Sequence, residues 1–100
     1  MRPLSSTMSP HLEFTKGGDS SKKFRAVGSK IGWLHTLSDK PGANFDVTIK
    51  DSLGRVRLQK RCGTETVQFG ELINFSTAIG EELECEISNL NVDNLKVFLN

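Results

Sequence analysis

Phe45-Asp46-Val47-Thr48-Ile49-Lys50 sets apolar residues at the odd positions and polar ones at the even, and Glu82-Leu83-Glu84-Cys85-Glu86-Ile87-Ser88 repeats the pattern further along the chain. A strand points successive side chains to opposite faces, so each stretch has one dry side and one wet side. Segments of this kind pack one face of an antiparallel sheet on a core and leave the other in water. The fold class read from them is all-β.

Working outward, Phe45–Lys50 runs through Asp51-Ser52-Leu53-Gly54 into Arg55–Arg61. Gly54 stands where a left-handed residue closes a hairpin turn. If Lys50 opposes Arg55, then Ile49 meets Val56, Val47 meets Leu58, and the two apolar faces agree. Upstream, Lys23–Val27 and Ser29–Leu37 read as strands, with Ile31, Trp33 and His35 on one face and Trp33 in phase with Ile31 toward the core. Ser38 to Asn44 is a loop by its Asp, Pro, Gly and Asn content. Downstream of Gly63-Thr64, the stretch Thr66–Phe75 keeps Val67, Phe69, Ile73 and Phe75 in phase, and Gly70-Glu71 marks a bulge or bend. Ala78-Ile79-Gly80 turns into Glu82–Ser88, and Leu95, Val97 and Leu99 point inward from a last strand. About seven or eight short strands with no helix longer than a turn predict an antiparallel β-sandwich or jelly roll.

Residues 1–22 read as an extended N-terminal arm ahead of a sandwich domain over 23–100. The arm is rich in Ser, Thr, Gly and Pro, Gly17 to Ser21 has the composition of a flexible linker, and Leu4 and Met8 are isolated apolar anchors. Such a segment cannot offset its own ordering entropy. The expectation is that the arm is separable from the domain, and that His11–Thr15 adds to the sheet edge of a neighbouring subunit. Leu4, Met8, Leu12 and Phe14 are then partner-binding residues.

One hundred residues make one domain, which buries roughly 60–65% of its unfolded surface. Thirteen basic residues against twelve acidic leave a formal charge of +1, without the basic excess of a dedicated nucleic-acid binder. Locally the balance is uneven: Arg55, Arg57, Lys60 and Arg61 crowd one hairpin, and Glu81, Glu82, Glu84 and Glu86 a later strand. Nucleic-acid-binding sheets interleave such charge with aromatic platforms, and none is expected on this face. The row Arg55, Arg57 and Arg61 therefore reads as a contact for an acidic protein surface, on a second copy or on a neighbouring strand. Cys62 and Cys85 fit neither a disulfide framework nor a zinc site. They read as small buried hydrophobes, with a disulfide between them as the alternative. No apolar run approaches the roughly 18 residues of a membrane helix, and Met1 to Thr7 has no secretory apolar region. The expected setting is a cytoplasm, with no membrane partner.

Nucleophilic catalysis needs a Ser or Cys near a His with an orienting acid. His11 and His35 are the two histidines of the chain, one in the arm and one on a strand beside Trp33. Glu82, Glu84 and Glu86 share a face, but a period-two row is what a solvated strand looks like, not a carboxylate pair across a cleft. No phosphate-binding glycine loop or metal-spaced cluster occurs. The sequence predicts no enzyme, no metal and no cofactor.

The phrases FDVTIKDSLGRVRL (45–58), GEELECEISNL (80–90) and NLKVFLN (94–100) resemble the galactose-binding-like jelly-roll sandwiches, of the kind seen in the capsid decoration (cement) proteins of tailed bacteriophages. The resemblance is architectural and covers roughly residues 24–100. It implies a structural role: dimers or trimers bound outside the major capsid protein, with an arm lacing onto neighbours. On that footing the chain is expected to be a non-enzymatic virion protein, made in a host cytoplasm, whose partners are the capsid protein or copies of itself. The rival reading is a carbohydrate- or receptor-binding jelly-roll module. Such sites stack sugar rings on exposed Trp or Tyr; this chain has no Tyr, and its one Trp, Trp33, is read into the core.

Overall fold

A computed structural model describes residues 11–100; the expected contacts of Leu4 and Met8 lie outside the described residues. The described chain forms eight strands: β1 (His11–Thr15), β2 (Ser21–Arg25), β3 (Lys30–Ser38), β4 (Asn44–Asp51), β5 (Val56–Gly63), β6 (Gln68–Ser76), β7 (Glu82–Ser88) and β8 (Asn94–Leu99). They make two four-stranded antiparallel sheets, sheet I in the order β1-β8-β3-β6 and sheet II in the order β2-β7-β4-β5. The pairing is nested: β4 pairs with β5, β3 with β6, β2 with β7 and β1 with β8. One long double-stranded ribbon thus wraps around a single core, a winding of jelly-roll type.

The two quoted stretches become β4 and β7, and they pair with each other, Val47 opposite Ile87 and Ile49 opposite Cys85. Their inward residues Phe45, Val47, Ile49, Leu83, Cys85 and Ile87 are buried. Opposite them, sheet I contributes Ile31, Leu34, Leu95, Val97 and Leu99. Layers packed this way sit about 10 Å apart, so one layer of interdigitated side chains fills the interior.

The N-terminal arm is where the structure departs most from expectation. His11–Thr15 adds to a sheet edge, but to the edge of its own chain, with Leu12 opposite Val97 and Phe14 opposite Leu95 on β8. Leu12 and Phe14 are 8% and 2% exposed. They are core residues and cannot also be partner anchors. The brief alternation His11-Leu12-Glu13-Phe14-Thr15 is enough to pair in cis, because β8 offers its ladder and Leu12 and Phe14 cover Val97 and Leu95. Lys16 to Ser20 then carries the chain from sheet I to sheet II, and the backbone N–H of Lys16 donates to Asp93 O at 3.0 Å.

The β4–β5 hairpin forms as expected, with Gly54 at φ +80°, but its register differs by two residues. Ile49 opposes Leu58, not Val56, and Val47 opposes Lys60. A two-residue slip keeps every side chain on its face, so the apolar pattern alone does not distinguish the registers. The turn does. The Asp51 carboxylate accepts from the backbone N–H of Leu53 and of Arg55, each at 3.0 Å, and Asp51 N–H donates to Arg55 O at 3.0 Å. This wide turn places Val56 opposite Lys50, and a bulge at Arg57 absorbs the extra residue.

Two outcomes follow for the arm. Phe14→Ala costs about 3–5 kcal/mol of stability, the range for an emptied aromatic core site. A chain lacking residues 1–18 loses β1 and unfolds at a clearly lower denaturant midpoint than the full chain. Equal midpoints would show that β1 adds nothing to the core.

Candidate interaction surface

The outer face of sheet I is built by a second break in alternation. Ile31 opposes Phe75, but Trp33 opposes Leu72, so the register shifts across Gly32. Ile31 and Leu34 both reach the core, at 2% and 0% exposure, and Trp33 and His35 turn to the opposite face together. The expectation that Trp33 follows Ile31 inward is therefore corrected. The extra residue lies on β6, where Ile73 and Asn74 stand against the single Gly32 and Asn74 takes φ +39°; the bulge thus falls downstream of the expected Gly70-Glu71, which stay in register with His35 and Leu34. The mark on β3 was Gly32, since a glycine inside a strand often accompanies a bulge, and Leu34, Thr36 and Ser38 are in phase with the inward residues of β8, opposing Leu99, Val97 and Leu95.

Four rings stand on this face. His11 stacks on Phe98 across β1 and β8, with centroids 4.9 Å apart and planes at 11°. Trp33 stacks on His35 along β3 at 5.7 Å and 17°. Phe98 lies opposite His35, and Gly70 flanks His35 on the other side. Trp33, Leu37 and Phe98 are half-buried, while Leu72 is 60% exposed. His35 is fully buried. Glu13, Lys96 and Gln68 mark the polar side of the face, in register with Leu37.

The basic row has a different fate from the one expected of a partner contact. Arg55 Nε donates to Asp51 Oδ2 at 2.7 Å, and Arg61 Nη1 donates to Asp46 Oδ1 at 3.1 Å. Arg57, displaced by the bulge, donates to Glu81 Oε2 at 2.7 Å and to Ser76 O, and its guanidinium lies 5.8 Å from the centroid of the Phe75 ring. Lys60 points between the sheets and pairs with Glu71, which reaches inward from β6. Lys50 Nζ meets Glu86 Oε1 at 3.1 Å on the outer face of sheet II. Of the two acceptors foreseen for the row, neighbouring strands of the same chain supply these. Arg55 and Arg61 stay largely exposed, so their pairs add little stability; Arg57 is enclosed and clamps β5 to the β6–β7 loop.

These contacts set the carboxyl groups. Burial pushes the Asp51 carboxyl up, but hydrogen bonds from the Arg55 and Leu53 N–H groups and the Arg55 guanidinium outweigh it and hold Asp51 below its ordinary 3.8. The Asn89 side chain, helped by Arg61, lowers Asp46. The Ala78 N–H, with Arg57, lowers Glu81.

Cys62 and Cys85 are free and buried. Burial pushes the Cys62 thiol up to about 11 and the Cys85 thiol up to about 12. Neither is a thiolate near neutrality, so both act as packing residues. Among the described residues no group of three or more His, Cys, Asp or Glu side chains could hold a metal ion, and no helix is long and apolar enough to cross a membrane. A depression of about 300 Å³ opens beside the β4–β5 turn, lined by Lys23, Asp51, Glu82 and Glu84 among others. Asp51 is already spent there on the turn and on Arg55. No protein-family model matches the chain, and no curated protein matches it.

Groups whose folded pKa is depressed stabilise the fold above their unfolded pKa, and that contribution is lost as pH falls through the folded value. Stability should therefore be flat from neutrality down to about pH 5 and fall below about pH 4. The acid limb should be shallower in Asp51→Asn, which a series of denaturant melts against pH would read. The thiols should be silent to a thiol reagent at pH 8 in the native protein and both react in denaturant. A single fast-reacting native thiol would contradict the packing role.

Proposed function

We propose that this protein is non-enzymatic and works by assembly, docking the outer face of sheet I on a protein surface as a virion structural component of the capsid-decoration type. One observation carries the reading. Trp33, Leu37, Leu72 and Phe98 gather on a single sheet face of a small domain whose core is already complete without them. Contiguous apolar and aromatic surface with a polar margin is what protein interfaces use, and Trp is prominent among their anchors. The jelly-roll winding, shared by capsid and lectin domains, is compatible with this role but does not choose it.

The contact zone differs from the sequence-based expectation. Leu12 and Phe14 sit in the core, and the basic row is neutralised within the chain, so neither supplies the docking surface. A second reading draws on the same face: Trp33, turned outward and stacked on His35, is the type of ring on which a sugar stacks. In that reading the protein is a carbohydrate-binding module.

Both readings meet in one set of experiments. Purified virions from the source of the sequence, analysed by mass spectrometry, should contain the protein in fixed ratio to the main shell protein. Recombinant chain should rebind to particles stripped of it, and Leu72→Asp should weaken that rebinding about tenfold or more, as for a lost interface anchor. Absence from particles removes the virion reading. A glycan-array signal abolished by Trp33→Ala in a variant that still folds replaces protein docking with sugar binding.

A further inference from the structure

Six large hydrophobic residues are exposed among those described, and four of them, Val27, Leu53, Val56 and Ile79, lie at one end of the sandwich. Single exposed apolar residues are ordinary, but a concentration at one end is not. Val27, Leu53 and Ile79, at 67%, 75% and 78% exposure, sit on three different connections, β2–β3, β4–β5 and β6–β7; Val56, at 53%, opens β5 beside them.

The connections are stitched into one rigid end. Gly80 N–H donates to Ala26 O and Thr77 N–H to Ser29 O, each at 2.8 Å, and Thr77 Oγ1 donates to Gly28 O at 2.7 Å. Arg25 Nη1 reaches Gly80 O at 3.0 Å, and Arg57 bridges to Glu81 at 2.7 Å. The apolar tips are thus held out by backbone bonds and need no ordering on binding.

The charged residues that stand fully exposed around the tips are basic. Ser21 to Lys30 contains Lys22, Lys23, Arg25 and Lys30 and no acid. Side chains of Arg25 and Arg55 are 69% and 68% exposed, and Lys23 and Lys30 are exposed as well. The acids of this end are less exposed than its cations: Asp51 is 2% and Glu81 21% exposed in their side chains, paired with Arg55 and Arg57. Glu84 is half-buried, and Glu82, at 42%, lies 3.6 Å from Arg25.

We propose that this end of the sandwich is a peripheral binding surface for anionic lipid bilayers, with Val27, Leu53 and Ile79 entering the headgroup–acyl boundary and Lys23, Arg25 and Lys30 meeting lipid phosphates. A bilayer interface accepts apolar tips from separate turns without a shaped pocket, and anionic headgroups supply the charge that this collar lacks. A protein partner would need a concave apolar site matched to three convex loops. The surface lies on, and does not span, the membrane, and it is independent of the docking role given to sheet I.

The test is sedimentation of the full chain with vesicles of phosphatidylcholine alone and with about 30 mol% phosphatidylserine. The protein should pellet with the anionic vesicles at least tenfold more tightly than with the neutral ones, and salt of about 0.5 M should weaken the binding several-fold. Leu53→Asp with Ile79→Asp should lower binding at least tenfold, and Lys23→Gln with Lys30→Gln several-fold, each variant keeping the wild-type melting midpoint. Leu72→Asp, on sheet I, should bind vesicles like wild type. No vesicle binding by the full chain, or binding insensitive to the loop-tip pair, overturns the proposal. So does loss of rebinding to stripped particles in the loop-tip pair without vesicle binding, which assigns this end to a protein. Failure of Leu72→Asp to affect particle rebinding bears on the sheet I reading alone.

Discussion

A single layer of side chains between two sheets is the constraint on which this protein rests. Sheets about 10 Å apart have room for one interdigitated layer, so each strand must offer alternate residues to it and nothing else. A chain of this length has no second core to draw on. Every inward position counts, which is why five residues of an outwardly polar arm are drawn in. Without Leu12 and Phe14, β8 would have an open ladder, and Leu95 and Val97 would lose their cover at the β1 edge. The nested pairing follows from the same need, because wrapping one ribbon on itself closes the layer from both sides.

Strict alternation fails at two places, and both shape the surface. At Gly32 the register shift turns Trp33 and His35 outward together and gives sheet I its ring-bearing face. At Arg57 the bulge lifts a guanidinium out of the basic row and into a clamp with Glu81, Ser76 O and Phe75. A bulge re-aims side chains at small cost in pairing. Here one bulge exposes an apolar face, and the other withdraws a charge from the surface.

The two surfaces differ in kind. Sheet I presents a strand face with the half-buried rings of Trp33 and Phe98 beside the exposed Leu72. The loop end presents convex apolar tips inside a cationic collar, suited to a soft anionic layer. They occupy different parts of the sandwich, a face and an end, so one does not obstruct the other. On the two readings proposed above, the face and the end are separate contacts.

Local pattern made the all-β class, the β7 limits, the turn at Gly54 and the inward set Leu95, Val97 and Leu99 legible in the sequence, because period-two alternation and turn chemistry act within a few residues. The sequence also carried marks that were open to more than one reading. Gly32 signalled a bulge only once Leu34 was known to share the core with Ile31, and the hairpin register could slip by two without changing any face. What the tertiary structure alone decided were the long-range matters: that β1 completes its own sheet, that Arg57 finds Glu81 and Lys60 finds Glu71, and that Val27, Leu53 and Ile79 meet at one end. The reason is physical. Alternation fixes which face a residue takes, but which partner lies across that face depends on strands far apart in sequence, and their pairing is settled by closing the shared interior layer.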